Sequence, residues 1–376
     1  MKTITGRLTC FCGAIVPWLF LAALCQANES ADSLSLRISL DEATQQLLLL
    51  PVVVRIELRN EGQTPIGMSA FPFGPEKTSN LSKRAPRYHF TILGPDGSTR
   101  DALFADWVNW RLDLIEAANP VQIAPGESLT LDYCLGCAAD QYTSPGRQLR
   151  DIVKMGKPVF PRPGNYTAQL TLRLPDQGIM KSNALAIAIQ EPRSSEDRGA
   201  YEILAECQNP FVLLRAPSSA VGRGIAAQGV SSASTPTQEA LSEVLFRFPN
   251  SRYAPYAQLL YALAQSQKRS MLLTATGVPA QDVAMQIEGI RLLRECASDQ
   301  QLPRRFRDGG AVLMTAIATR LGQVMDPDVK VRIPSAKTEL RNHTEWALDL
   351  LRTMPWRNAS TGDLRAVLKA NPSGLF

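Results

Sequence analysis

The spacing of apolar residues changes once along the chain, and this change constrains the fold more than any other feature of the sequence. Between Ser33 and Glu191, apolar and polar residues alternate in short segments, which is the pattern of half-buried β-strands. After Pro192 the apolar residues recur every three or four positions, as they do in amphipathic α-helices. The sequence therefore predicts a multidomain protein, with a β domain at residues 28–192 and an α-helical domain at residues 193–376.

The alternating segments predict an antiparallel arrangement of roughly six to eight short strands. Turn sequences rich in Gly, Pro and Asn end several of them, at Asn60–Gly62, Gly94–Gly97 and Pro125–Gly126. The clearest alternating segments are 34–40, 52–58, 88–92, 121–123, 129–133, 166–174 and 185–189. Many short strands separated by such turns are typical of a β-sandwich, in which two sheets pack face to face.

One segment of the β domain resembles a known family. In the sequence PGNYTAQLTL, residues 163–172, Tyr166 lies where the immunoglobulin-like or fibronectin-like sandwiches of exported bacterial proteins place a corner tyrosine. The resemblance implies that the Tyr166 hydroxyl binds back to the preceding loop. The chain has Ala168 where antibody domains have a cysteine, so no antibody-type disulfide between the sheets is expected.

The helical domain contains one clear helical hairpin. A flexible linker rich in Ser, Gly and Ala is predicted at residues 216–237. Residues 237–267 then predict two helices joined by the turn FPNSRYA, in which Ser251 is suited to cap the second helix. This hairpin resembles the tetratricopeptide-type units of bacterial envelope proteins. Tyr253 and Tyr256 of its second helix are candidate ligand-binding residues.

Further helices are predicted along the rest of this domain, at 281–297, 305–321, 336–353 and 361–370. None of them repeats the hairpin cleanly at the tetratricopeptide period of about 34 residues. Two arrangements stay open: degenerate α-helical hairpins that form a repeat surface, and a compact helical bundle.

The N-terminus has the pattern of a signal peptide, at residues 1–27. Lys2 and Arg7 precede an apolar run, Cys12–Leu24, which is too short to span a bilayer of about 30 Å. We expect cleavage after Ala27, a secreted or periplasmic protein, and no transmembrane anchor. The alternative is a lipid anchor on Cys25, which is disfavoured because a leucine precedes that cysteine where a lipoprotein signal has a small residue.

Four cysteines remain after that cleavage, and an oxidising compartment favours disulfides between them. The economical pairing joins Cys134 to Cys137 within the β domain and Cys207 to Cys296 within the helical domain. The spacing of Cys134 and Cys137 also occurs in thiol oxidoreductases, where the first cysteine opens a helix. Because this pair follows a predicted strand instead, a structural disulfide is favoured.

Little else in the sequence indicates catalysis. There are 2 histidines, and His89, which alternates with apolar neighbours on a strand, is predicted to face solvent. The sequence contains no common hydrolase, metalloprotease or phosphate-binding motif, so no catalytic residue, metal ligand or cofactor is predicted. The predicted mature chain has a net charge of +3, since the signal peptide removes two of the 40 basic residues, and this balance argues against a nucleic-acid partner.

An aromatic pair offers a second class of function. Trp107 and Trp110, with Tyr88 and Tyr133 on predicted strands, resemble the flat aromatic surfaces that bind sugars. The competing interpretation is that the two tryptophans form one buried helical turn that covers an end of the sandwich.

The sequence thus favours an exported, non-catalytic protein-binding or scaffolding protein of the cell envelope or extracellular space, with an unknown protein partner. The alternative is a carbohydrate-binding or cell-wall-binding module that uses Trp107 and Trp110, and the third hypothesis is a thiol oxidoreductase at Cys134 and Cys137.

Overall fold

The computed structural model describes residues 33–68, 88–102, 121–138, 157–174, 178–207, 235–267 and 280–304, and individual positions from 306 to 349. The signal peptide with Cys25, the pair Trp107 and Trp110, linker residues 216–234 and the helix predicted at 361–370 lie outside the described residues.

Antiparallel sheets make up the N-terminal part of the protein. The first sheet has the order β1-β2-β7, and its strands are β1 (Leu34–Leu40), β2 (Val52–Asn60) and β7 (Ser128–Leu135). Its register places Ile38 opposite Ile56, and Ile56 opposite Leu131. Apolar residues of neighbouring strands therefore lie in rows on one face of this sheet.

The second sheet is built around its longest strand, β10. Its strands are β4 (Tyr88–Leu93), β5 (Thr99–Ala102), β10 (Gly164–Leu174), β11 (Gly178–Lys181) and β12 (Leu185–Ile189). Strand β10 pairs with β4, β11 and β12, and β4 pairs with β5. Two small pairs join β3 (Ile66–Met68) to β6 (Val121–Ile123) and β8 (Cys137–Ala138) to β9 (Lys157–Pro158).

The apolar faces of these two sheets contribute to the same hydrophobic cluster. It includes Ile38 and Ile56 from the first sheet and Phe90, Leu170 and Ile187 from the second. The strands predicted from alternation all form, because one face of each is buried. The structure adds β3, β5, β8, β9 and β11, which are too short or too polar to produce a clear alternating pattern.

Tyr166 makes the hydrogen bond to the preceding loop that was predicted for it. Tyr166 is 2% exposed, and its hydroxyl donates to the carbonyl oxygen of Arg162 at 2.8 Å. The positive φ of Gly164, 145°, brings the backbone so close to the side chain of Pro95 that a Cβ at position 164 would lie 2.9 Å from it. Two loops of the second sheet are thereby held together.

Four helices with continuous ranges follow the sheets in the part of the chain that the structure describes. They are α1 (Ser195–Glu206), α2 (Thr235–Arg247), α3 (Ala254–Gln267) and α4 (Ala280–Ser298). Helix α1 has an N-cap at Ser194, whose side chain accepts a hydrogen bond from the Asp197 amide at 3.0 Å. Residues 235–237, predicted as linker, belong to α2, whose first turn tolerates Pro236.

The start of α3 differs from the expectation for Ser251. The Ser251 hydroxyl is buried and has no hydrogen-bond partner in the described part of the chain, so it does not cap the helix. Its carbonyl oxygen instead accepts from the Ala254 amide at 3.0 Å. A backbone turn thus replaces the predicted side-chain cap.

A second hydrophobic cluster joins the helices to the first sheet. The loop between β1 and β2 contributes Leu47 and Leu50, β2 contributes Val53, and β7 contributes Cys134. The remaining members come from the helical part, including Leu204, Leu241, Tyr256, Leu260 and Leu293. Val53 and Cys134 lie on the opposite face of the first sheet from Val52, Val54, Tyr133 and Leu135, which belong to the cluster shared with the second sheet. Both faces of this sheet are therefore partly buried.

Candidate functional site

A groove of about 460 Å³ lies on the helical part of the protein, among residues of α2, α3, α4 and the turns that flank them. Helix α3 packs against both α2 and α4. Its sequence explains this position, since Leu259, Leu260 and Leu263 are buried and the small Ala257 and Ala262 are buried with them. Gln258 and Tyr261 of the same helix keep part of their surface exposed and line the groove.

The groove has an apolar side and a polar side. Its apolar and aromatic lining is made by Leu245, Pro249, Ala254, Pro255, Tyr261 and Leu292. Its polar lining is made by Gln258, Glu288, Asp299 and Gln301. Phe246, the neighbour of Leu245 on α2, is 88% exposed, which is unusual for so large an apolar side chain. An apolar wall with a few polar groups is the composition of binding sites.

Both carboxylic acids that line the groove, Glu288 and Asp299, are held by hydrogen bonds. Hydrogen bonds from Arg291 hold the pKa of Glu288 below its ordinary value, and burial opposes this effect. Arg291 donates from Nε to Glu288 Oε2 at 2.8 Å and also contacts Glu295. Asp299 accepts a hydrogen bond from the backbone amide of Gln301 at 2.8 Å. Glu288 is therefore charged at neutral pH and is held in a fixed orientation.

Tyr253 and Tyr256, the candidate ligand-binding residues of the hairpin, lie elsewhere. Both are fully buried and belong to the cluster that joins the helices to the first sheet. The Tyr253 hydroxyl donates to the carbonyl oxygen of Leu48 at 2.9 Å, and the Tyr256 ring packs edge-on against Phe306 at 5.3 Å between centroids. Burial raises the pKa of both phenols. Their roles in this structure are structural, because neither ring reaches a surface.

The loop that receives Tyr253 is itself unusual. The Leu50 amide donates to the Leu47 carbonyl at 3.2 Å, which closes a tight turn, and Leu49 within it has φ of 64°. A bulky residue rarely adopts this left-handed conformation, and a strained residue of this kind costs on the order of 1 kcal/mol or more. The turn persists because its side chains pack into the helical cluster.

The two predicted disulfides have different outcomes. Cys296 is a buried free thiol on α4 whose pKa is raised by burial, so the Cys207–Cys296 bond is not formed here. Cys134 is 1% exposed and packs with the helices. The side chain of Cys137 lies outside the described residues, so its bond with Cys134 stays a prediction. Burial of Cys134 disfavours the thiol oxidoreductase hypothesis, because a reactive thiolate needs access to its substrate.

The aromatic residues proposed to support sugar binding lie inside the β part. Tyr133 is 3% exposed, its ring stacks on Phe90 at 5.0 Å, and Tyr88 packs edge-on against it at 5.5 Å. Tyr133 therefore offers no exposed aromatic surface, and Tyr88 is partly buried. Trp107 and Trp110 themselves lie outside the described residues.

The two histidines lie in different parts of the protein, His89 on a strand and His343 in the helical part. His89 is exposed on β4, as predicted. His343 is 6% exposed, with Glu339 Oε1 at 3.7 Å from its Nε2 atom, and burial lowers its pKa.

Among the residues that the structure describes, no group of three or more His, Cys, Asp or Glu side chains is placed to hold a metal ion. Nor does the described part of the chain include a helix with the length and apolar character needed to cross a membrane.

Comparison with known proteins adds no family. No model of a protein family matches the chain, and no curated protein matches it significantly.

The sequence interpretation did not single out the residues that line the groove. Tyr261, Glu288 and Asp299 lie on different elements, and periodicity does not bring them together. A signal was present in α3, where Gln258, Tyr261 and Gln265 recur at three and four positions among apolar residues. An apolar helix with one polar stripe indicates that this stripe faces a groove or solvent.

Proposed function

We propose that the protein is an exported, non-catalytic scaffolding protein that binds a protein partner in the groove formed by α2, α3 and α4. The observation that carries the proposal is the groove itself. It combines apolar side chains with the Glu288 carboxylate, which Arg291 orients, and with other polar groups. Protein interfaces combine an apolar centre with a polar rim in the same way.

In this proposal the β part is an immunoglobulin-like sandwich that supports the helices. The shared core of the two main sheets and the Tyr166 hydrogen bond support this assignment. The packing of Leu47 and Leu50 into the helical cluster would fix the position of the groove relative to the β part. Export rests on the sequence of residues 1–27 alone.

The helices α2 and α3 are proposed to be a tetratricopeptide-like hairpin. They follow each other closely, with Pro249 in the turn between them, and the buried Ala257 lets α3 approach its neighbours. Hairpins of this kind bind peptides in the grooves between their helices, so this assignment agrees with the proposed position of the site.

The proposal is tested by site-specific cross-linking of the full chain with its own N-terminus. A photoreactive phenylalanine analogue replaces Tyr261 in the groove, and a control variant carries it in place of Ile179, which is 63% exposed on β11. Fractionation of the cells first reports export.

We expect one reproducible partner to cross-link from position 261, to saturate, and to be displaced by added unlabelled protein. Position 179 should not yield this partner. An absence of cross-links at 261, or the same products from both positions, would overturn the proposal. A partner that depends on the groove should also bind the variant Tyr261→Ala several-fold more weakly, because an aromatic interface residue contributes about 1 kcal/mol or more.

A further inference from the structure

The charged side chains that line the groove are negative. Glu288 and Asp299 are its carboxylate lining residues, and none of the described residues that line it is basic. Arg291 lies beside Glu288 but shares its guanidinium with Glu295, so the local group of two glutamates and one arginine keeps a negative charge. Gln258 also donates to Glu295, at 3.1 Å, and thereby completes a polar network along this rim.

The groove also has a definite size. A volume of about 460 Å³ lies in the range of about 300 to 1,000 Å³ that holds small ligands or a few side chains of a peptide. The apolar residues Leu245 and Leu292 lie on α2 and α4, and Tyr261 lies on α3 between them. A flexible chain could place one large apolar side chain against these three residues and keep its neighbours at the acidic rim.

We propose that the partner presents an extended basic segment to this groove, with an apolar side chain against Leu245, Tyr261 and Leu292 and separate Lys or Arg side chains near Glu288 and near Asp299. The inference rests on the proposed function and names the chemistry of its partner. An acidic segment would be repelled, since Asp299 and the group of Glu288, Glu295 and Arg291 each carry a net negative charge. The carboxylates thus determine which segments bind, and the apolar wall supplies the contact area.

The test uses three fluorescein-labelled octapeptides of identical apolar sequence that differ only in carrying two lysines, two glutamines or two glutamates. Binding to the full chain is measured by fluorescence anisotropy. We expect affinity to fall in the order lysine, glutamine, glutamate. The preference for the lysine peptide should shrink between about 0.05 and 0.5 M salt, because screening weakens exposed ion pairs.

Two variants assign the effect to the groove. E288Q and D299N are each expected to weaken binding of the lysine peptide by about two- to five-fold and to leave the glutamine peptide unchanged. The control is E202Q, which removes an exposed acid of α1 outside the groove and should change neither affinity. Circular dichroism spectra that match the parent protein confirm that each variant is folded.

Equal affinities for the three peptides, the reverse order, the absence of binding, or an effect of E202Q as large as that of E288Q would overturn the inference. These outcomes differ from failure of the proposed function. A partner that cross-links from position 261 and binds independently of salt and of E288Q would leave the function standing and refute the basic segment.

Discussion

Replacement of Leu47 by alanine tests whether the sheets and the helices unfold as one unit. Leu47 is 1% exposed and lies in the loop between β1 and β2, yet it belongs to the cluster formed mainly by the helices. The loop is also bound to the end of the second sheet, since the Leu48 amide donates to the Gln190 carbonyl at 3.2 Å and the Gln190 amide donates to the Gln46 carbonyl at 2.8 Å. The side chain of Leu47 thus connects the helices to a loop that is fixed to the sheets.

The cost of Leu47→Ala follows from its burial. Truncation of a fully buried leucine removes its transfer free energy and leaves a cavity, which together lower the free energy of unfolding by about 2 to 5 kcal/mol. The strained turn at Leu49 can relax once the packing is lost, and this relaxation offsets part of the cost. We therefore expect Leu47→Ala to lower the free energy of unfolding by about 3 kcal/mol.

Hydrogen exchange measured by mass spectrometry separates the two parts. Amides of α3 and of β2 should both lose protection in Leu47→Ala, and by similar free energies, if the cluster couples them. The matched control is Leu93→Ala, since Leu93 is 47% exposed on β4 and should change stability by well under the cost of a core truncation. Unchanged protection of α3 in Leu47→Ala would refute the coupling, because it would mean that the helices do not depend on this loop.

Three further predictions concern single contacts. Gly199→Ala should lower the free energy of unfolding by about 1 to 3 kcal/mol, because the new Cβ would lie 2.2 Å from the Phe248 ring; a urea midpoint at or above that of the parent would contradict this packing. Asn60→Ala should cost about 1 to 3 kcal/mol in the same assay, since the buried amide donates to two backbone carbonyls and accepts from a third residue. Asp197→Asn should make stability less dependent on pH in the acid range. Burial raises the pKa of Asp197, but hydrogen bonds from Arg252 and Ser194 lower it more, so its net pKa lies below the ordinary 3.8. The stabilisation is therefore complete above pH 3.8 and is lost as the pH falls through the folded-state pKa; equal acid slopes for parent and variant in thermal unfolding would argue against it.

The secondary structure was largely predictable because its signals are local. The alternation in β1, β2 and β10 and the helical spacing of α2, α3 and α4 come from residues close together in the sequence. The Tyr166 hydrogen bond was predictable for the same reason, since it spans four residues. Strand β5 was missed because three of its four residues are polar, and β3 because it has three residues and, unlike the predicted β6, is not followed by a Pro-Gly turn.

The candidate site was less predictable, and the reason is visible in α3. Periodicity indicates that Tyr253, Tyr256 and Leu260 share a face, but it does not say what that face meets. The structure places this face against the β part and leaves Tyr261 for the groove. Tyr253 and Tyr256 are therefore buried, and the tyrosine of this segment that lines the groove is Tyr261, five positions after Tyr256.

The sequence by itself determined the order of the elements, with antiparallel strands first and helices after Pro192, because alternation and helical spacing are properties of short segments. Only the tertiary structure decided that the loop at Leu47–Leu50 packs into the helices, and that Leu245, Tyr261 and Leu292 border one groove. These contacts join segments far apart in the chain. They depend on which apolar faces bury each other, and the hydrophobic effect that drives this burial is not directional and leaves no local pattern in the sequence.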